Sequence, residues 1–453
     1  MSERAVNSIY GASEFSYKNF LFINVTARND WFSTLAKENR SILYPSISGS
    51  YVFSQSLSSI PSWLSFGKLR VAYAEVGSDT DVSPYSNNLF YAINANLFAN
   101  PAGSPQPIGG SSGATVPNSN LKPMRTSESE IGLELKLFQN RLSIDLAAYQ
   151  KITSDQIVSA QISDASGFTN SLINSGKSQT NGLEMLLAFS PVKSSSFQWN
   201  VTVNGSYNIT KVLSLTTDKE GERITTGTHV FNGELRQIVG QEMGQIYGFG
   251  FKRNEQGQMI FGTNGIPLRT SDLISYGSAL PKWMGGITNS FNYKGLTLSF
   301  LIDFKLGNMM LSGTNFNAVR HGLHQMTLEG REGGVLGVGV TEKGEPNTVK
   351  APVQDYWSVV RSQAIIEPVV SNGGYWKLRQ ITAGYDLSKF LPKSFPVKSL
   401  KLSLTANNVF LIKKWVPNID PDSFGYSSDN LVGMESTGLP TTRSIGFNLN
   451  AKF

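Results

Sequence analysis

The amino-acid sequence predicts an all-β fold, a transmembrane antiparallel β-barrel of which about 13–14 strands lie in this chain. Charged residues make up only 16% of its 453 residues, whereas Gly (43), Phe (26) and Tyr (16) are abundant. A wall that touches lipid must exclude charged side chains. Segments of about 10–14 residues alternate apolar and polar side chains, which is the length that a tilted strand needs to cross a bilayer. Short and long connections alternate between these segments, as they do in outer-membrane barrels.

The alternating segments give the predicted strands in chain order. They lie near 15–30, 44–56, 65–76, 127–138, 141–152, 179–190, 197–213, 244–252, 280–292, 296–307, 373–386, 399–410 and 441–453, with a weaker candidate at 258–263. In 296–306, every second residue from Leu296 to Leu306 is apolar and shares one face. In the last ten residues, Ile445, Phe447 and Leu449 alternate with polar residues in the same way. A slip of one residue would turn the charged side chains toward lipid, so the register is strongly specified.

The connections predict which end of the barrel faces outward. Short connections are predicted at 139–140, 191–196, 293–295 and 387–398, and long ones at 77–126, 214–243, 308–372 and 411–440. Tracing the strands back from Phe453 places that residue at the periplasmic rim and all four long loops outside, provided that 258–263 is a strand. Tyr and Trp residues near the segment ends predict aromatic girdles at the two membrane interfaces.

Composition excludes several classes of protein. The chain has no cysteine, which excludes disulfide frameworks and thiolate metal sites. The net charge of +6 is scattered along the chain, so no nucleic-acid partner is predicted. No apolar run approaches the roughly 20 residues of a membrane-spanning helix.

A series of short motifs carries a family resemblance. In chain order these motifs are Tyr44-Pro45-Ser46-Ile47-Ser48, Leu69-Arg70-Val71-Ala72-Tyr73, Asn120-Leu121-Lys122-Pro123, Asn181-Gly182-Leu183-Glu184, Pro281-Lys282-Trp283, Trp376-Lys377-Leu378-Arg379, Asn407-Asn408-Val409-Phe410 and the terminal Phe453. The ordered series resembles the barrel of the SusC/RagA family of TonB-dependent outer-membrane transporters of Bacteroidetes. The resemblance covers essentially the whole chain, residues 1–453.

The resemblance implies a fold, a location and a function. It implies a plugged barrel of about 22 strands in the outer membrane, of which this chain is the C-terminal portion. The plug domain and the TonB box are expected to lie outside this chain. The implied function is uptake of oligosaccharides or peptides, with a SusD-like lipoprotein and the TonB complex as partners and transporter–lipoprotein pairs that can form dimers. No enzymatic activity and no cofactor are expected.

One set of candidate residues is charged and alternates with apolar residues. Glu130 and Glu134 share one strand face near Arg141 and Asp145, and Lys401 lies on the polar side of a later strand. Paired carboxylates can act in acid–base catalysis. Lining of a wet lumen by these charges is the alternative that we favour.

A second set lies in or next to the predicted loops. Its aromatic members could stack on sugar rings, contact a partner protein or simply pack within the loops; they are Tyr85, Tyr91, Tyr356, Trp357 and Trp376. His321 and His324 have too few neighbouring ligands for a metal site and are expected to be solvated. The glycine-rich run 333–339 is expected to be a flexible external loop, because it lacks the Lys-Ser/Thr of a P-loop. Only Asp272 supplies a carboxylate in 268–278, so no calcium site is predicted.

Two other classes remain open from the sequence. A standalone porin or adhesin could close from these strands alone. A secreted β-sandwich with an enzyme or lectin site is disfavoured by the strand length, the low charge and the loop rhythm.

Overall fold

The main body of the protein is one antiparallel sheet of thirteen strands, in which neighbours in sequence are neighbours in the sheet. A computed structural model describes residues 3–79, 82–85, 88–89, 91–93, 98–99, 101–111, 115–168, 170–174, 176–229, 231–392, 396–423 and 431–453. The strands are β1 (Val6–Tyr17), β2 (Leu21–Phe32), β3 (Ser41–Tyr51), β4 (Leu64–Ser78), β5 (Met124–Leu137), β6 (Leu142–Ser154), β7 (Lys177–Lys193), β8 (Phe197–Ser214), β9 (Trp283–Tyr293), β10 (Leu296–Leu306), β11 (Tyr375–Asp386), β12 (Ser399–Lys414) and β13 (Ser444–Lys452).

One face of this sheet is apolar from its first strand to its last, and we call it the apolar face. Register carries the alternation from strand to strand: Leu133 pairs with Leu69 and Leu146, and Leu146 pairs with Met185. Many of these side chains are not buried in a protein core: Ile131 is 52%, Leu404 54% and Phe447 81% exposed. Exposing such a surface to water is unfavourable in free energy, whereas contact with the hydrocarbon of a bilayer is not.

The opposite face, which we call the polar face, carries the other half of each alternation. Glu134 pairs with Lys68 and Asp145 across its two neighbouring strands. At the far edge of the sheet, Thr405 and Gly446 are paired in the same way. On β10, Leu298 pairs with Phe291 of β9 and with Ala383 of β11, so the apolar row of β10 belongs to the continuous apolar face, as the sequence predicted.

Short turns and long loops lie at opposite ends of the sheet. Lys294 and Gly295 join β9 to β10 with φ of 47° and 96°, a left-handed pair that suits a tight hairpin. The connections 18–20, 138–141, 194–196 and 387–398 and helix α1 (Phe53–Ser56) share that end. The long connections 79–123, 155–176, 215–282, 307–374 and 415–443 all lie at the other end. The prediction that the four long loops share one end is confirmed.

Three strand predictions were wrong. The predicted strand 15–30 is the end of β1, a turn and the start of β2, because Lys18 and Asn19 take positive φ angles of 47° and 57°. Segments 244–252 and 258–263 are not strands of the main sheet. Their regular parts, Gln245–Gly248 and Met259–Phe261, pair with other loop segments. Because two predicted strands drop out together, every other strand still begins and ends at the predicted end of the sheet. The long loops therefore still lie together at one end.

The long loops are themselves folded. They contain helices α2 (Gly313–Arg320) and α3 (Val353–Ser362) and 3-10 turns at Asp164–Ser166, Gln325–Thr327 and Glu367–Val369. A further 3-10 turn, Leu387–Phe390, lies in the short connection 387–398. Their short strands are Tyr91–Ile93, Phe98–Ala99, Pro105–Gln106, Gly109–Ser111, Thr115–Val116, Ile157–Gln161, Asn170–Asn174, Arg223–Thr228, Glu234–Ile238, Gln245–Gly248, Met259–Phe261, Ile274–Ser278, Met309–Ser312, Val335–Leu336, Gly339–Thr341, Lys350–Ala351, Val370–Asn372 and Met434–Glu435. Within the described ranges, none of the helices is long and apolar enough to cross a bilayer.

The largest hydrophobic core lies in these loops and not in the sheet. Loops 215–282, 307–374 and 415–443 each contribute to it, for example through Ile246, Leu311 and Met434, all fully buried. We call these three loops the loop unit. A shared core makes them one packed body at one end of the strands, and side chains held in such a core keep fixed positions.

Candidate functional site

The centre of the polar face carries a cluster of paired charges. Arg70 lies 2.7 Å from an oxygen of Asp145 and 3.8 Å from Glu130, and Lys68 lies 2.7 Å from Glu134. These side chains are between 19% and 36% exposed, so they line a surface that solvent reaches. Ion pairs that remain hydrated are weak stabilisers. Their main consequence is a wall of fixed charges along the sheet.

Glycine in the middle of β5 makes room for this cluster. A Cβ at Gly132 would lie 2.7 Å from the Arg70 guanidinium. Any larger residue at this position would push the guanidinium away from the carboxylates of Asp145 and Glu130. The glycine therefore fixes where the positive charge sits.

A second polar network lies where the loop unit meets the strands, and we call it the rim network. Lys377 of β11 is only 2% exposed, and its Nζ lies 2.8 Å from Asp420 and 3.4 Å from Asp422. Arg379 donates to Asp303 of β10 at 2.5 Å and to Asp422 at 2.6 Å. Two cations of the sheet thus hold two carboxylates of loop 415–443.

A β-bulge brings Arg379 into this network. Leu378 pairs with Ile302 and Gln380 with Leu301, so both neighbouring ladders omit Arg379. A bulge shifts the alternation by one residue and re-aims a side chain. Without it, Arg379 would share the apolar face of Ile381 and would place its charge in lipid.

Both loop carboxylates of the rim network are held in the ionised form. Burial alone raises the pKa of Asp420, but hydrogen bonds from Lys377 and Thr441 outweigh burial and hold that pKa below its usual range. The pKa of Asp422 is lowered in the same way by Arg379 and Tyr375 against the effect of burial. The network therefore stays charged throughout the neutral range.

A buried glutamate ties two loops of the loop unit together. Glu435 is 2% exposed and accepts hydrogen bonds from Ser312 Oγ at 3.0 Å, from the Thr314 backbone N–H at 2.9 Å and from Thr314 Oγ1 at 2.8 Å. These donors lie at the start of α2, where a carboxylate also meets the positive end of the helix dipole. His229 is buried beside it, and burial lowers the pKa of His229 to about 4.

The structure separates the predicted aromatic residues. Tyr85 and Tyr91 lie exposed in loop 79–123, at 50% and 89%. Tyr356 and Trp357 lie in α3, where Tyr356 is buried against Phe261 and Trp357 packs against the core of the loop unit. Burial leaves Tyr356 unable to offer a stacking surface.

Trp376 does not lie in a loop. It is the second residue of β11, and its ring stacks on Phe304 of β10 with centroids 4.5 Å apart. Phe304 belongs to the apolar face, so Trp376 belongs to the aromatic girdle near the loop end. Its position in β11 agrees with the predicted strand 373–386 and with the predicted girdle, and its role toward a substrate or partner stays a prediction.

The remaining candidates are also placed. Lys401 lies on the polar face with its side chain 62% exposed and 4.0 Å from Asp386. Arg141 lies in the turn before β6 and not in the strand. His321 is exposed, but His324 is buried and its Nδ1 accepts from the Met326 backbone N–H, so the expectation of a solvated His324 was wrong. Among the described residues, no group of His, Asp and Glu could hold a metal ion.

The rim network is the arrangement that sequence reasoning missed. A signal was present, because apolar residues of β11 change phase from Trp376 and Leu378 to Ile381 and Ala383. A strand that changes phase must contain a bulge. Asp420 and Asp422, in contrast, stand in an irregular loop that gives no periodic signal.

Together these features define a class: a β-barrel protein of the outer membrane, whose strands present an apolar surface on one side, a charged polar wall on the other and folded long loops at one end. The sequence profile of the family described as "TonB dependent receptor-like, beta-barrel" matches residues 2–409. The chain belongs to that family and is an outer-membrane protein.

Individual relatives agree with this assignment. The chain is 22% identical to the TonB-dependent receptor P3 of Formosa agariphila, with 100% of this chain and 46% of that protein covered. It is 21% identical to the TonB-dependent receptor SusC of Bacteroides thetaiotaomicron, with 92% of this chain and 41% of that protein covered. The resemblance to the SusC/RagA family is thereby confirmed. The chain spans about half the length of the curated relatives it matches.

A solved structure has the same fold. The structure of the RagAB peptide transporter superposes with a TM-score of 0.78 at 18% identity, covering 100% of this chain and 48% of that chain. Because identity is so low, this likeness shows the fold alone.

Proposed function

We propose that this chain is a C-terminal portion of the barrel of a TonB-dependent importer, which takes up oligosaccharides or peptides through the outer membrane. Membership in the receptor family supports the proposal. The likeness to the TonB-dependent receptor SusC supports TonB dependence, and the likeness to a transporter described as one for peptides supports the peptide class. The oligosaccharide class rests on the family resemblance of the sequence. A SusD-like lipoprotein at the external loops, the TonB complex and pairing of two transporter–lipoprotein units belong to the same proposal.

The polar face is the observation that carries this proposal. It runs across all thirteen strands and bears the paired charges of Lys68, Arg70, Glu134 and Asp145. We assign this face to the interior of the barrel, because the opposite face is apolar and a bilayer requires an apolar exterior. A charged, hydrated wall offers hydrogen-bond partners to a polar solute along its whole path.

The rest of the barrel and its coupling parts belong to the remaining half of a longer protein in this proposal. β1 and β13 are the two edges of the sheet among the described residues. An unpaired edge cannot persist in hydrocarbon, because each unsatisfied backbone group costs free energy. Further strands would pair with both edges, and a plug and a TonB-contacting segment would accompany them.

Uptake by cells tests the function. The gene is deleted from the native organism and restored, and import of labelled peptides and labelled oligosaccharides of equal length is measured with and without a protonophore. We expect one of the two classes to depend on both the gene and the energised inner membrane. Import that needs the gene but survives the protonophore would indicate a passive pore and would overturn TonB coupling.

Neutralising the central charges tests the assignment of the polar face. The triple change Glu130→Gln, Glu134→Gln and Asp145→Asn leaves the wall cationic and should slow import at least several-fold, because the fixed charges no longer balance. Glu255→Gln in an exposed loop is the matched control and should leave import unchanged. Unaltered import by the triple variant would remove the pore-lining role.

A further inference from the structure

A cavity of about 630 Å³ lies between α2 and α3 in the loop unit. Apolar residues form part of its wall, and the hydrogen-bond donors and cations that line the rest include Arg320, His321, Thr327, Arg331 and Trp357. No described Asp or Glu lines it. We call this space the α2–α3 cavity.

The two arginines of the α2–α3 cavity differ from two other arginines of the loop unit, which are paired with carboxylates. Arg253 lies 2.5 Å from Glu367, and Arg236 lies 2.7 Å from Glu234. In the described part of the chain, no ion pair involves Arg320 or Arg331. Two guanidinium groups at one cavity without a carboxylate form a local excess of positive charge.

Backbone contacts fix the direction of one of these guanidinium groups. Arg331 Nε donates to the Thr327 carbonyl at 3.2 Å, and a terminal nitrogen donates to the Gly322 carbonyl. Thr327 is itself 2% exposed, and its hydroxyl donates to the His324 carbonyl at 2.7 Å. A guanidinium has five N–H donors, so further donors remain for a ligand after these contacts.

One residue that lines the cavity carries an unused donor. Trp357 Nε1 is buried and has no hydrogen-bond partner among the described residues, although Trp357 lines the cavity. A buried N–H without an acceptor is unfavourable, and a ligand oxygen would remove that cost.

We infer that the α2–α3 cavity binds a carboxylate on the solute that reaches the external loops. The two guanidinium groups have no carboxylate partner and the indole N–H has no acceptor, and an anionic oxygen would supply both. Arg recognises such planar oxyanions through paired N–H donors. This inference rests on the proposed import function for the origin of the solute, and it narrows that solute to an acidic one.

Direct binding to the intact transporter in detergent tests the inference without any uptake. The probes are oligoglutamate and an oligogalacturonate, each compared with a neutral partner of the same length, oligoglutamine and a malto-oligosaccharide. We expect one acidic probe to bind about tenfold or more tightly than its neutral partner, because hydrogen bonds to charged groups contribute this much. The peptide and saccharide arms identify the source of the anionic group.

Single substitutions locate the site. Arg320→Gln and Arg331→Gln should each weaken the acidic probe about tenfold, and Trp357→Phe should weaken it several-fold while keeping the ring. Arg361→Gln is the matched control, because Arg361 is exposed on α3 and does not line the cavity. The inference is overturned if neither acidic probe is preferred, or if both cavity arginines can be replaced without loss. Failed import alongside intact acidic binding would count against the proposed function alone.

Discussion

Replacing Lys377 with methionine should release loop 415–443 from the strands while leaving the barrel intact. Lys377 is 2% exposed and is held by Asp420 at 2.8 Å, by Asp422 at 3.4 Å and by Thr441 Oγ1 at 2.7 Å. Removing one partner from a buried ion pair leaves an uncompensated charge and costs about 3–5 kcal/mol. Asp422 keeps Arg379 and Asp420 keeps Thr441, so the lower end of about 3 kcal/mol is expected.

Amide hydrogen exchange of the intact transporter measures this effect. A loss of about 3 kcal/mol in local opening corresponds to exchange about 100-fold faster in loop 415–443. Amides of β12 should be unaffected, because the ladder between β11 and β12 does not depend on the ammonium group. Lys401→Met is the matched control: its side chain is 62% exposed and 4.0 Å from Asp386, and such a pair contributes less than about 1 kcal/mol.

Two outcomes would refute this reasoning. Loop exchange that rises less than threefold would mean that the rim network does not hold the loop. Equal effects of Lys377→Met and Lys401→Met would mean that burial of the ammonium group is unimportant. The double change Lys377→Met with Asp420→Asn should recover part of the loss, because it removes one of the charges that the single change left unpaired.

Three further perturbations have definite expected outcomes. Lowering the pH from 7 to 4 should destabilise the loop unit by about 3 kcal/mol, because burial moves the pKa of His229 from 6.5 to about 4 and each pKa unit corresponds to about 1.36 kcal/mol. Hydrogen exchange of the loop unit, measured over this pH range, should show the loss, and His229→Gln should remove it. As the pH falls, His229 takes up a proton in the unfolded state before it does so in the folded state. The loop unit therefore loses no stability above about pH 6.5 and loses progressively more as the pH falls toward 4. Gly182→Ala should cost about 1–3 kcal/mol in unfolding by denaturant, because its Cβ would lie 2.2 Å from a tyrosine ring. Leu404→Arg should cost about 2–4 kcal/mol in the same measurement in lipid vesicles, since it places a charge on the apolar face.

Each of these perturbations has a control within the chain. Gly446→Ala has nothing within 4 Å of the new Cβ and should be nearly neutral, so equal effects at Gly182 and Gly446 would contradict the steric argument. Ser403→Arg, one residue from Leu404 but on the polar face, should cost little. Equal costs at Ser403 and Leu404 would contradict the assignment of the two faces. A pH dependence that persists in His229→Gln would assign it to another group.

The sequence alone determined the fold class, and strand periodicity explains why. A period of two over ten or more residues can satisfy lipid on one side and water on the other only in a strand, and register copies that pattern to each neighbour. The two faces, the placement of the long loops and the polar position of Glu130 and Asp145 followed from this rule. The first strand was missed, because the apolar residues keep the same parity on both sides of the positive-φ turn at Lys18 and Asn19, with Tyr17 before it and Leu21 after it.

Only the tertiary structure decided how the loops fold and which polar groups meet. Lys377 and Asp420 are 43 residues apart, and Ser312 and Glu435 are 123 apart. Such contacts depend on how strands bring distant loops to one end of the sheet, which no local pattern records. The same packing buried Tyr356, placed Trp376 on the apolar face and left Arg320 and Arg331 without carboxylates. Local alternation specifies a surface, whereas a site requires distant segments to converge in space.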